Sequence, residues 1–362
     1  MREGWEYKKF ENCIVKSPKL KQVKKEAYNN GSQYPIISQE EKFISGYCDD
    51  ESMVCHIDRP VVVFGDHTRV LKHIDFDFVV GADGVKVIIP IKSIDSKFLL
   101  YFLQWYNIPN LGYSRHYKLL KDVMVPIPNC TTQLSIVSEL DKLNELIQIK
   151  KEQLKDYDAL AQSIFYEMFG DPVENEKGWE VKKLKDISRK IGDGLHGTPE
   201  YSELDTGWYF INGNNLENGC ISIKSMTKKV TDFVRKKYYV EMDDFTLLVS
   251  INGTLGKSAF YNGENVILGK SACYIKLNKD VNKLFIYEII RGEYFKRYAE
   301  SVCTGTTIRN VSLKAMREFP IIYPPLPLQH SFAQKIEQIE QQKAAIQKTI
   351  TDLAASFCSV MS

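Results

Sequence analysis

The chain has 362 residues, which is enough for two or three domains with hydrophobic cores of their own. Its hydrophobic content of 44% is that of a folded protein, and no apolar run approaches the ~20 residues of a membrane span. The eight cysteines form no C-x-x-C pair, which argues against a zinc site or a disulfide framework. We expect reduced thiols and a cytoplasmic protein, because the charged start of the chain has no apolar segment behind it.

The formal net charge of +2 does not by itself indicate a nucleic-acid-binding protein. Residues 1–128 carry 18 Lys and Arg against 16 Asp and Glu, and residues 170–324 carry 23 against 20. Residues 129–169 carry 4 against 7, and residues 325–362 carry 3 against 3. The positive balance lies in the first and third segments, which is weak support for DNA contact there, with phosphate affinity shared with partner subunits.

Two stretches of the sequence recur in the same order. The matches are residues 4–9 (GWEYKK) with residues 178–183 (GWEVKK), and residues 118–122 with residues 314–318. The first match is offset by 174 positions and the second by 196, so the second copy is longer by about 22 residues. We predict an internal duplication with pseudo-two-fold symmetry, which suits a two-fold symmetric ligand such as duplex DNA.

Both copies are predicted to be mixed α/β domains with many short strands. The strands come from runs of apolar and β-branched residues, the clearest being residues 61–64, 76–80, 85–89, 246–250 and 272–277. Helices are predicted at residues 97–106 and 283–299, each ahead of the loop that closes its copy. Trp5 and Trp179 stand at matched positions, and we expect both to pack in a core.

A long heptad-patterned helix is predicted after each copy, over residues 133–169 and 329–362. Each follows a proline-rich stop, which suits the start of a helix, and Thr131 or Thr132 is expected to cap the first. Apolar residues recur at spacings of 4 and 3, as in the a/d seam of a coiled coil. The predicted seam residues are Ile136, Leu140, Leu143, Ile147, Leu154, Phe332, Ile336, Ile339, Ile346, Ile350 and Leu353.

Each predicted helix is roughly 50–55 Å long and needs a partner for its apolar stripe. The simplest partner is the other helix, in an antiparallel pair, because a parallel second helix would project with nothing to pack on. We predict a first globular domain at 1–128, a central spacer helix at 129–170, a second globular domain at 171–324 and a C-terminal spacer helix at 325–362. Two alternatives stay open: a homodimeric coiled coil, and two core helices of one large α/β domain.

The loops of both domains carry side chains suited to base edges and phosphates, because Arg and Lys pair with guanine and Asn pairs with adenine. Each of these residues is also compatible with a surface turn that carries a solvated group. The predicted DNA-contact residues are His67, Thr68, Arg69, Arg115 and His116 in the first domain, and His196, Thr198, Asn212, Asn214, Lys257, Thr306, Thr307, Arg309 and Asn310 in the second.

No catalytic or metal-binding pattern is found in the sequence. Residues 253–258 read GTLGKS, but a P-loop has four residues between its glycines, and its first Gly would fall at Ile251. There is no Asn/Asp-Pro-Pro-Tyr/Phe motif, no Gly-rich cofactor motif after a strand and no histidine pair at helical spacing. We expect no catalysis, cofactor or metal in this chain; an unrecognised hydrolase site is the alternative.

The duplicated α/β domain, alternating with a proline-rich stop and a long helix, resembles the specificity subunit of type I restriction–modification systems. The most specific matches are residues 324–329 (PPLPLQ), residues 305–309 (GTTIR), and the segments 192–199 (GDGLHGTP) and 65–69 (GDHTR), which resemble parts of target recognition domains. The first domain departs from this pattern, because residues 125–130 form a weaker proline motif with no Gly-Thr-Thr loop before it.

The resemblance implies a non-catalytic subunit in which each target recognition domain reads half of a split DNA site and the coiled coil sets the spacing. It also implies two methyltransferase subunits that use S-adenosylmethionine, restriction/translocase subunits that use ATP and Mg, and no membrane partner. Two other classes stay open. One is a stand-alone sequence-specific DNA-binding protein, and the other is an enzyme, which nucleotide hydrolysis lost on Lys257→Ala would favour.

Overall fold

The computed structural model describes residues 4–16, 20–31, 33–81, 84–112, 114–304 and 309–362. The chain divides into two compact units: unit 1 is Met1–Gln153 with Ile346–Ser362, and unit 2 is Leu154–Ala345. This division lies inside both long helices. The boundaries predicted from the sequence, at 128, 170 and 324, answer a different question, because they separate globular segments from spacer helices. They stay a prediction.

The elements of each unit follow in chain order. Unit 1 contains β1 (Glu6–Lys9), β2 (Ile14–Val15), β3 (Tyr34–Ile37), β4 (Gly46–Cys48), β5 (Val54–Cys55), β6 (Val61–Gly65), β7 (Leu71–Ile74), β8 (Phe78–Val80), β9 (Val85–Pro90), α1 (Ser96–Tyr106), β10 (Met124–Ile127) and the start of α2 (Cys130–Phe169). Unit 2 contains β11 (Val181–Lys183), β12 (Ser188–Gly192), β13 (Tyr201–Ser202), β14 (Tyr209–Ile211), β15 (Leu216–Glu217), β16 (Cys220–Ile221), β17 (Lys229–Val230), α3 (Asp232–Tyr238), β18 (Thr246–Ser250), β19 (Ser258–Phe260), β20 (Val266–Leu268), β21 (Ala272–Leu277), α4 (Lys283–Arg291), α5 (Glu293–Val302), α6 (Leu313–Glu318), β22 (Pro320–Ile322) and the start of α7 (Leu326–Met361). Short 3-10 helices cover Phe10–Asn12, Lys25–Ala27, Glu51–Met53, Tyr117–Leu120, Leu184–Ile187 and Gly213–Asn215.

The two units have the same principal sheet. In unit 1 the strand order is β2-β9-β6-β7 and in unit 2 it is β12-β21-β18-β19, with antiparallel neighbours throughout. Helix α1 covers the first sheet with Phe98 and Phe102, and α4 covers the second with Phe285. Each unit also has a smaller sheet with one parallel pair, β3 with β8 and β14 with β20.

The pairing of the repeated motifs confirms the duplication. Strand β1 pairs with β10 and places Tyr7 opposite Pro126, and β11 pairs with β22 and places Val181 opposite Ile322. These partners are related by the same offsets of 174 and 196 positions that relate the two sequence matches. An ion pair closes each strand pair, between Lys9 and Asp122 at 3.0 Å in unit 1 and between Lys183 and Glu318 in unit 2.

The two long helices are confirmed, and α2 begins three residues before its predicted start. Its first turn is capped by Asn129, whose Oδ1 accepts a hydrogen bond from Thr132 N at 2.8 Å. The prediction that Thr131 or Thr132 is the cap was wrong, because the helix starts at Cys130 and both threonines already lie in its first turn. Asn is among the residues that best fill the capping position.

Within unit 2, helices α2 and α7 pack antiparallel. Near the end of α2, Phe169 lies 5.2 Å between ring centroids from Phe332, which is close to the start of α7. Further back along α2, Asp158 pairs with Lys343 at 2.9 Å, further along α7. Phe169 and Phe332 are wholly buried and belong to the main core of unit 2.

Within unit 1, the end of α7 packs against the start of α2. Met361 is buried in one cluster with Ile136 and Leu140, and the Phe357 ring lies 5.7 Å from that of Tyr101 in α1. The predicted seam is buried at Ile136, Leu140, Phe332, Ile336 and Ile339, and half-buried at Leu143, Ile147, Leu154, Ile346, Ile350 and Leu353. The seam is therefore most deeply buried where each helix joins a globular core.

The other predicted elements are largely confirmed. The strands at 246–250 and 272–277 have the predicted bounds, whereas the strand predicted at 76–80 begins at Phe78. The single helix predicted at 283–299 was wrong: it is two helices, because Gly292 has an extended backbone between α4 and α5. Trp5 and Trp179 both pack against cores, and Trp179 Nε1 donates to Phe169 O at 2.9 Å.

No helix in the described part of the chain is long and apolar enough to cross a membrane. Within the same residues, no group of three or more His, Cys, Asp or Glu side chains is placed to hold a metal ion. All eight cysteines are free thiols, and Cys13, Cys48, Cys55 and Cys273 are buried. Burial raises the pKa of the Cys13 thiol to about 11, which keeps it protonated at neutral pH.

Candidate nucleic-acid interface

In unit 1, the two loops predicted to contact DNA meet at Asp66. This buried residue follows β6, and its backbone oxygen accepts a hydrogen bond from His116 N at 2.8 Å. Its carboxylate accepts a second hydrogen bond from Tyr117 N at 2.7 Å. The structure thus brings together segments that are about fifty residues apart in the sequence, as a shared DNA-contact surface requires.

The structure places His116, one of the predicted DNA-contact residues, inside unit 1. Its side chain is wholly buried, and both ring nitrogens have partners inside unit 1. Nδ1 donates to Asp66 O at 2.9 Å, and Nε2 accepts from Leu111 N at 3.0 Å, which assigns the neutral tautomer with the proton on Nδ1. His116 therefore holds the loop in place, and the neighbouring exposed residue, Arg115, is the one presented to solvent.

The other predicted residues of unit 1 lie around the β6–β7 turn. Thr68 is exposed, and its hydroxyl donates to Gln39 O at 2.6 Å. Arg69 is partly buried with a left-handed backbone (φ 62°), and its Nη1 donates to Ile108 O at 2.9 Å. His67 is also partly buried, and its backbone N donates to the Gln39 side chain at 3.2 Å. Thr68 is therefore the more accessible of these three residues.

Two residues that the sequence analysis did not single out join the loop before β4 to the rest of unit 1: Lys72 holds this loop, and Gln39, which belongs to it, contacts the β6–β7 turn. Lys72 is buried and donates to the backbone oxygens of Ser38, Lys42 and Phe43 at 3.0, 2.6 and 3.3 Å. Burial lowers the pKa of this ammonium group. No local signal indicates these roles, because each contact joins residues about thirty positions apart.

Unit 2 has the same backbone frame with different side chains. Ile251 follows β18 as Asp66 follows β6, and its backbone oxygen accepts a hydrogen bond from Val311 N at 2.8 Å. Ile251 and Val311 are buried, so an apolar contact in unit 2 stands where unit 1 has the Asp66–His116 pair. The turn next to it brings Gly253 N to Arg309 O at 3.0 Å, and it pairs Asn252 with Asn310.

A second group of predicted loops in unit 2 is joined through Ser271. Its hydroxyl donates to the Asn212 side chain at 3.0 Å and accepts from Gly213 N at 3.0 Å. The loop that contains His196 approaches the same region, because Leu195 N donates to Leu268 O at 2.7 Å. A Cβ atom on Gly194 would lie 1.9 Å from that Leu268 oxygen, so only glycine fits there.

The remaining predicted residues of unit 2 differ in accessibility. His196, Thr198, Asn214 and Arg309 are exposed, and Lys257, Asn212 and Asn310 are partly buried. His196 Nε2 lies 2.7 Å from the Asp193 carboxylate, and Arg309 pairs with Glu300 at 2.9 Å. Thr306 and Thr307 lie outside the described residues.

The structure agrees with the rejection of a P-loop at residues 253–258. Lys257 is followed by strand β19, whereas a P-loop is followed by a helix. Lys257 O accepts a hydrogen bond from Ser250 N at 2.7 Å, so the segment is the turn of a β-hairpin. Among the sequence-predicted residues, Lys257 is thus a candidate for phosphate contact in DNA and not for nucleotide binding.

Comparison with known proteins identifies a family. The family model described as "Type I restriction modification DNA specificity domain" matches the chain twice, over residues 2–156 and 176–354. The type I restriction enzyme MjaIX specificity subunit of Methanocaldococcus jannaschii is 26% identical over 313 residues, which cover 74% of this chain and 67% of that protein. The EcoR124I/EcoR124II specificity subunit of Escherichia coli is 25% identical over 355 residues, covering 88% and 82%.

Two solved structures share the fold. The S subunit of a type I restriction–modification system from M. genitalium superposes with a TM-score of 0.52 at 14% identity, covering 99% of this chain and 95% of that one. A chain from a structure on complex assembly and conformational transition of a type I system gives a TM-score of 0.55 at 13% identity, covering 99% and 97%. At these identities the likeness concerns the fold alone, and it confirms the predicted mixed α/β class with a duplicated domain and long helices.

Proposed function

The chain belongs to the type I restriction–modification DNA specificity family, and on that premise we propose that it reads a split, asymmetric target in double-stranded DNA. As a specificity subunit it is the non-catalytic member of its complex. Each globular domain binds one half-site, and the paired helices set the gap between them. The two half-sites differ because the recognition loops of the two domains differ.

The observation that carries this proposal is one backbone frame with two sets of side chains. The backbone hydrogen bond from His116 N to Asp66 O in unit 1 has its counterpart in the bond from Val311 N to Ile251 O in unit 2, although the side chains differ. A frame held in common keeps the loops in equivalent positions, and sequence differences within the loops then alter which bases they contact. Two identical half-sites would need no such divergence.

The partners in this proposal are two methyltransferase subunits and the restriction/translocase subunits of a cytoplasmic complex. S-adenosylmethionine, ATP and Mg belong to those partners, and this subunit holds none of them. Each methyltransferase subunit methylates the N6 of an adenine within one half-site after flipping the base out of the duplex. The exposed outer faces of α2 and α7 supply much of the surface on which the methyltransferase subunits dock.

The test is a single-molecule methylome of the host with the gene present, deleted and restored. We expect N6-methyladenine to disappear from one split, asymmetric motif on deletion and to return on restoration. A restored copy carrying Arg115→Ala should weaken recognition at one half of the motif only, because that side chain belongs to unit 1 alone.

Two results would contradict the proposal. One is a methylome unchanged by deletion while the methyltransferase subunits are expressed and active. The other is specific binding of the purified chain to DNA with no methyltransferase subunit recovered in pull-down, which would favour a stand-alone DNA-binding protein.

A further inference from the structure

Helix α3 of unit 2 has two contrasting faces. Thr231 caps it, and its inner face packs through Val234 and Tyr238 onto a small apolar cluster. Phe233, Lys236 and Lys237 are exposed, and their spacing of three and four residues puts them on one side of the helix. Phe233 is 64% exposed, and its ring lies 5.6 Å from Lys237 Nζ, so an apolar ring and a cation stand side by side on this face.

The helix is held in a defined position. Arg235 pairs with Asp232 at 3.2 Å, and its guanidinium group lies 5.4 Å from the ring centre of Trp208. The Trp208 ring in turn meets the Tyr239 ring edge to face at 5.4 Å. These contacts hold Arg235 against the body of unit 2. Lys236 and Lys237 are exposed, and Lys237 Nζ lies 5.6 Å and 5.2 Å from the ring centres of Phe233 and Tyr238 on the helix itself.

The charge of this region is strongly positive. Residues 224–237 contain six Lys and Arg and one Asp, in a domain whose whole excess is small. Acidic partners within unit 2 hold three of the six: Lys224 pairs with Glu217, Lys229 with Asp205, and Arg235 with Asp232. The other three are Lys228, Lys236 and Lys237. Among the described residues, no acidic group lies within ion-pair distance of them.

The same apolar cluster connects α3 to the predicted DNA-contact loops. Leu195 packs against this cluster, which contains Val234, and the next residue is the exposed His196. Strand β17, which leads into α3, pairs with β14, and β14 leads directly to Asn212. The exposed lysines and the loops predicted to contact bases are therefore parts of one small sheet and its connections.

We propose that Lys228, Phe233, Lys236 and Lys237 form a surface that contacts the phosphate backbone of DNA; we call it the α3 patch. This proposal rests on the proposed function and extends it. The lysines neutralise DNA phosphates, and Phe233 packs against the deoxyribose between two of these phosphates. Contacts of this kind set affinity and position on the duplex without reading its sequence. In unit 1, the corresponding stretch between β4 and β6 holds a 3-10 helix and strand β5, so the patch belongs to one half-site only.

The test measures how DNA affinity depends on salt, using the complete complex with its methyltransferase subunits and a duplex that carries the split motif. The variant Lys236→Ala/Lys237→Ala should reduce the slope of log affinity against log salt by about 0.9 for each lysine. The methylated motif should stay unchanged. Phe233→Ala should lower affinity and leave the slope as it is, because it removes no charge.

The matched control is Lys24→Ala/Lys279→Ala, which removes the same charge from two exposed lysines outside the patch. We expect the control to keep the wild-type slope, and thermal melting to show that both double variants are folded. An unchanged slope in the α3 variant, or an equal loss in the control, would overturn the proposal. A changed methylated motif would also overturn it, because the α3 patch would then read bases. Loss of the methyltransferase subunits from the complex at an unchanged slope would overturn it too, because the α3 patch would then be a protein-docking surface.

Failure of the α3 patch can be told apart from failure of the proposed function. If the wild-type complex does not prefer the split motif over a scrambled duplex, the proposed function fails. If it does prefer that motif and the α3 variant keeps the wild-type slope, the α3 patch alone is wrong.

Discussion

The side chain of Gln329 joins the start of α7 to Asn282, the residue that caps α4. Its Oε1 accepts a hydrogen bond from Asn282 N at 3.0 Å, and its Nε2 donates to Pro324 O at 2.8 Å. In unit 1, Gln133 makes the equivalent contacts with Asp95 N and Pro128 O, both at 2.8 Å. Each repeated glutamine thus links its long helix to the helix that covers the principal sheet, which explains why it belongs to the repeated motif.

We predict that Gln329→Leu lowers the free energy of unfolding by about 2–4 kcal/mol, because Gln329 is wholly buried and two backbone groups would lose their partner. Gln334→Leu, on the exposed side of the same helix, is the control and should change stability by less than about 0.5 kcal/mol. Urea denaturation followed by circular dichroism measures both. Equal stabilities of the two variants would show that the buried amide does not hold the helices together.

His116 and Arg115 should separate loop stability from DNA contact. His116→Ala removes a buried ring with two hydrogen bonds, so we expect a loss of about 2–4 kcal/mol in the free energy of unfolding. Arg115→Ala removes an exposed side chain, so it should lower the melting temperature much less than His116→Ala does while weakening DNA binding. A reversed pattern, with a stable His116 variant and an unstable Arg115 variant, would contradict the roles that we assign to these residues.

Glu288 should make the stability of unit 2 depend on pH. Burial raises the pKa of this carboxyl group to about 7, although Arg291 at 3.3 Å opposes the shift. Asp158, Glu340 and Lys343 complete the charged cluster around Arg291. The folded protein binds this proton more tightly than the unfolded chain does. The resulting contribution of Glu288 to the free energy of unfolding is fully present below about pH 4.5, where the group is protonated in both states. It is lost as pH rises through about 7.

The measurement compares the wild-type protein with Glu288→Gln by urea denaturation between pH 5 and pH 8. Relative to the variant, the wild-type free energy of unfolding should fall over this range by on the order of 3 kcal/mol. Glu293→Gln removes an exposed carboxylate of the neighbouring helix and serves as the control, with no change expected between pH 5 and 8. Parallel pH curves for wild type and Glu288→Gln would rule out the proposed titration.

The spacing role that we propose for the helices predicts the effect of added heptads. Duplicating residues 154–160 in α2 and residues 339–345 in α7 adds one heptad to each helix and preserves the seam. At ~1.5 Å per residue, this should widen the gap in the methylated motif by about 3 base pairs without changing either half-site. The same duplication in α2 alone puts the helices out of register and should abolish methylation. Changed half-sites in the double insertion would contradict the spacing role.

Local patterns in the sequence were sufficient for the duplication, the two long helices, the main strands and the family. The reason is physical: a heptad repeat and a repeated strand motif are read from neighbouring residues, and apolar burial then enforces them. Phe332 and Leu140 were predicted in the seam because their spacing alone places them there, and both are wholly buried.

Contacts between distant parts of the chain were decided only by the tertiary structure. His116 has the polar character of a DNA-contact residue, but its burial depends on Asp66, fifty positions away. The α3 patch was likewise not predicted, because its lysines become distinctive only when the nearby acidic residues are seen to pair with other groups. Sequence by itself determined which segments repeat and which faces are apolar. The tertiary structure decided which polar side chains form hydrogen bonds inside the protein and which stay exposed to a partner. The reason is that hydrogen bonding and desolvation depend on neighbours that no local pattern specifies.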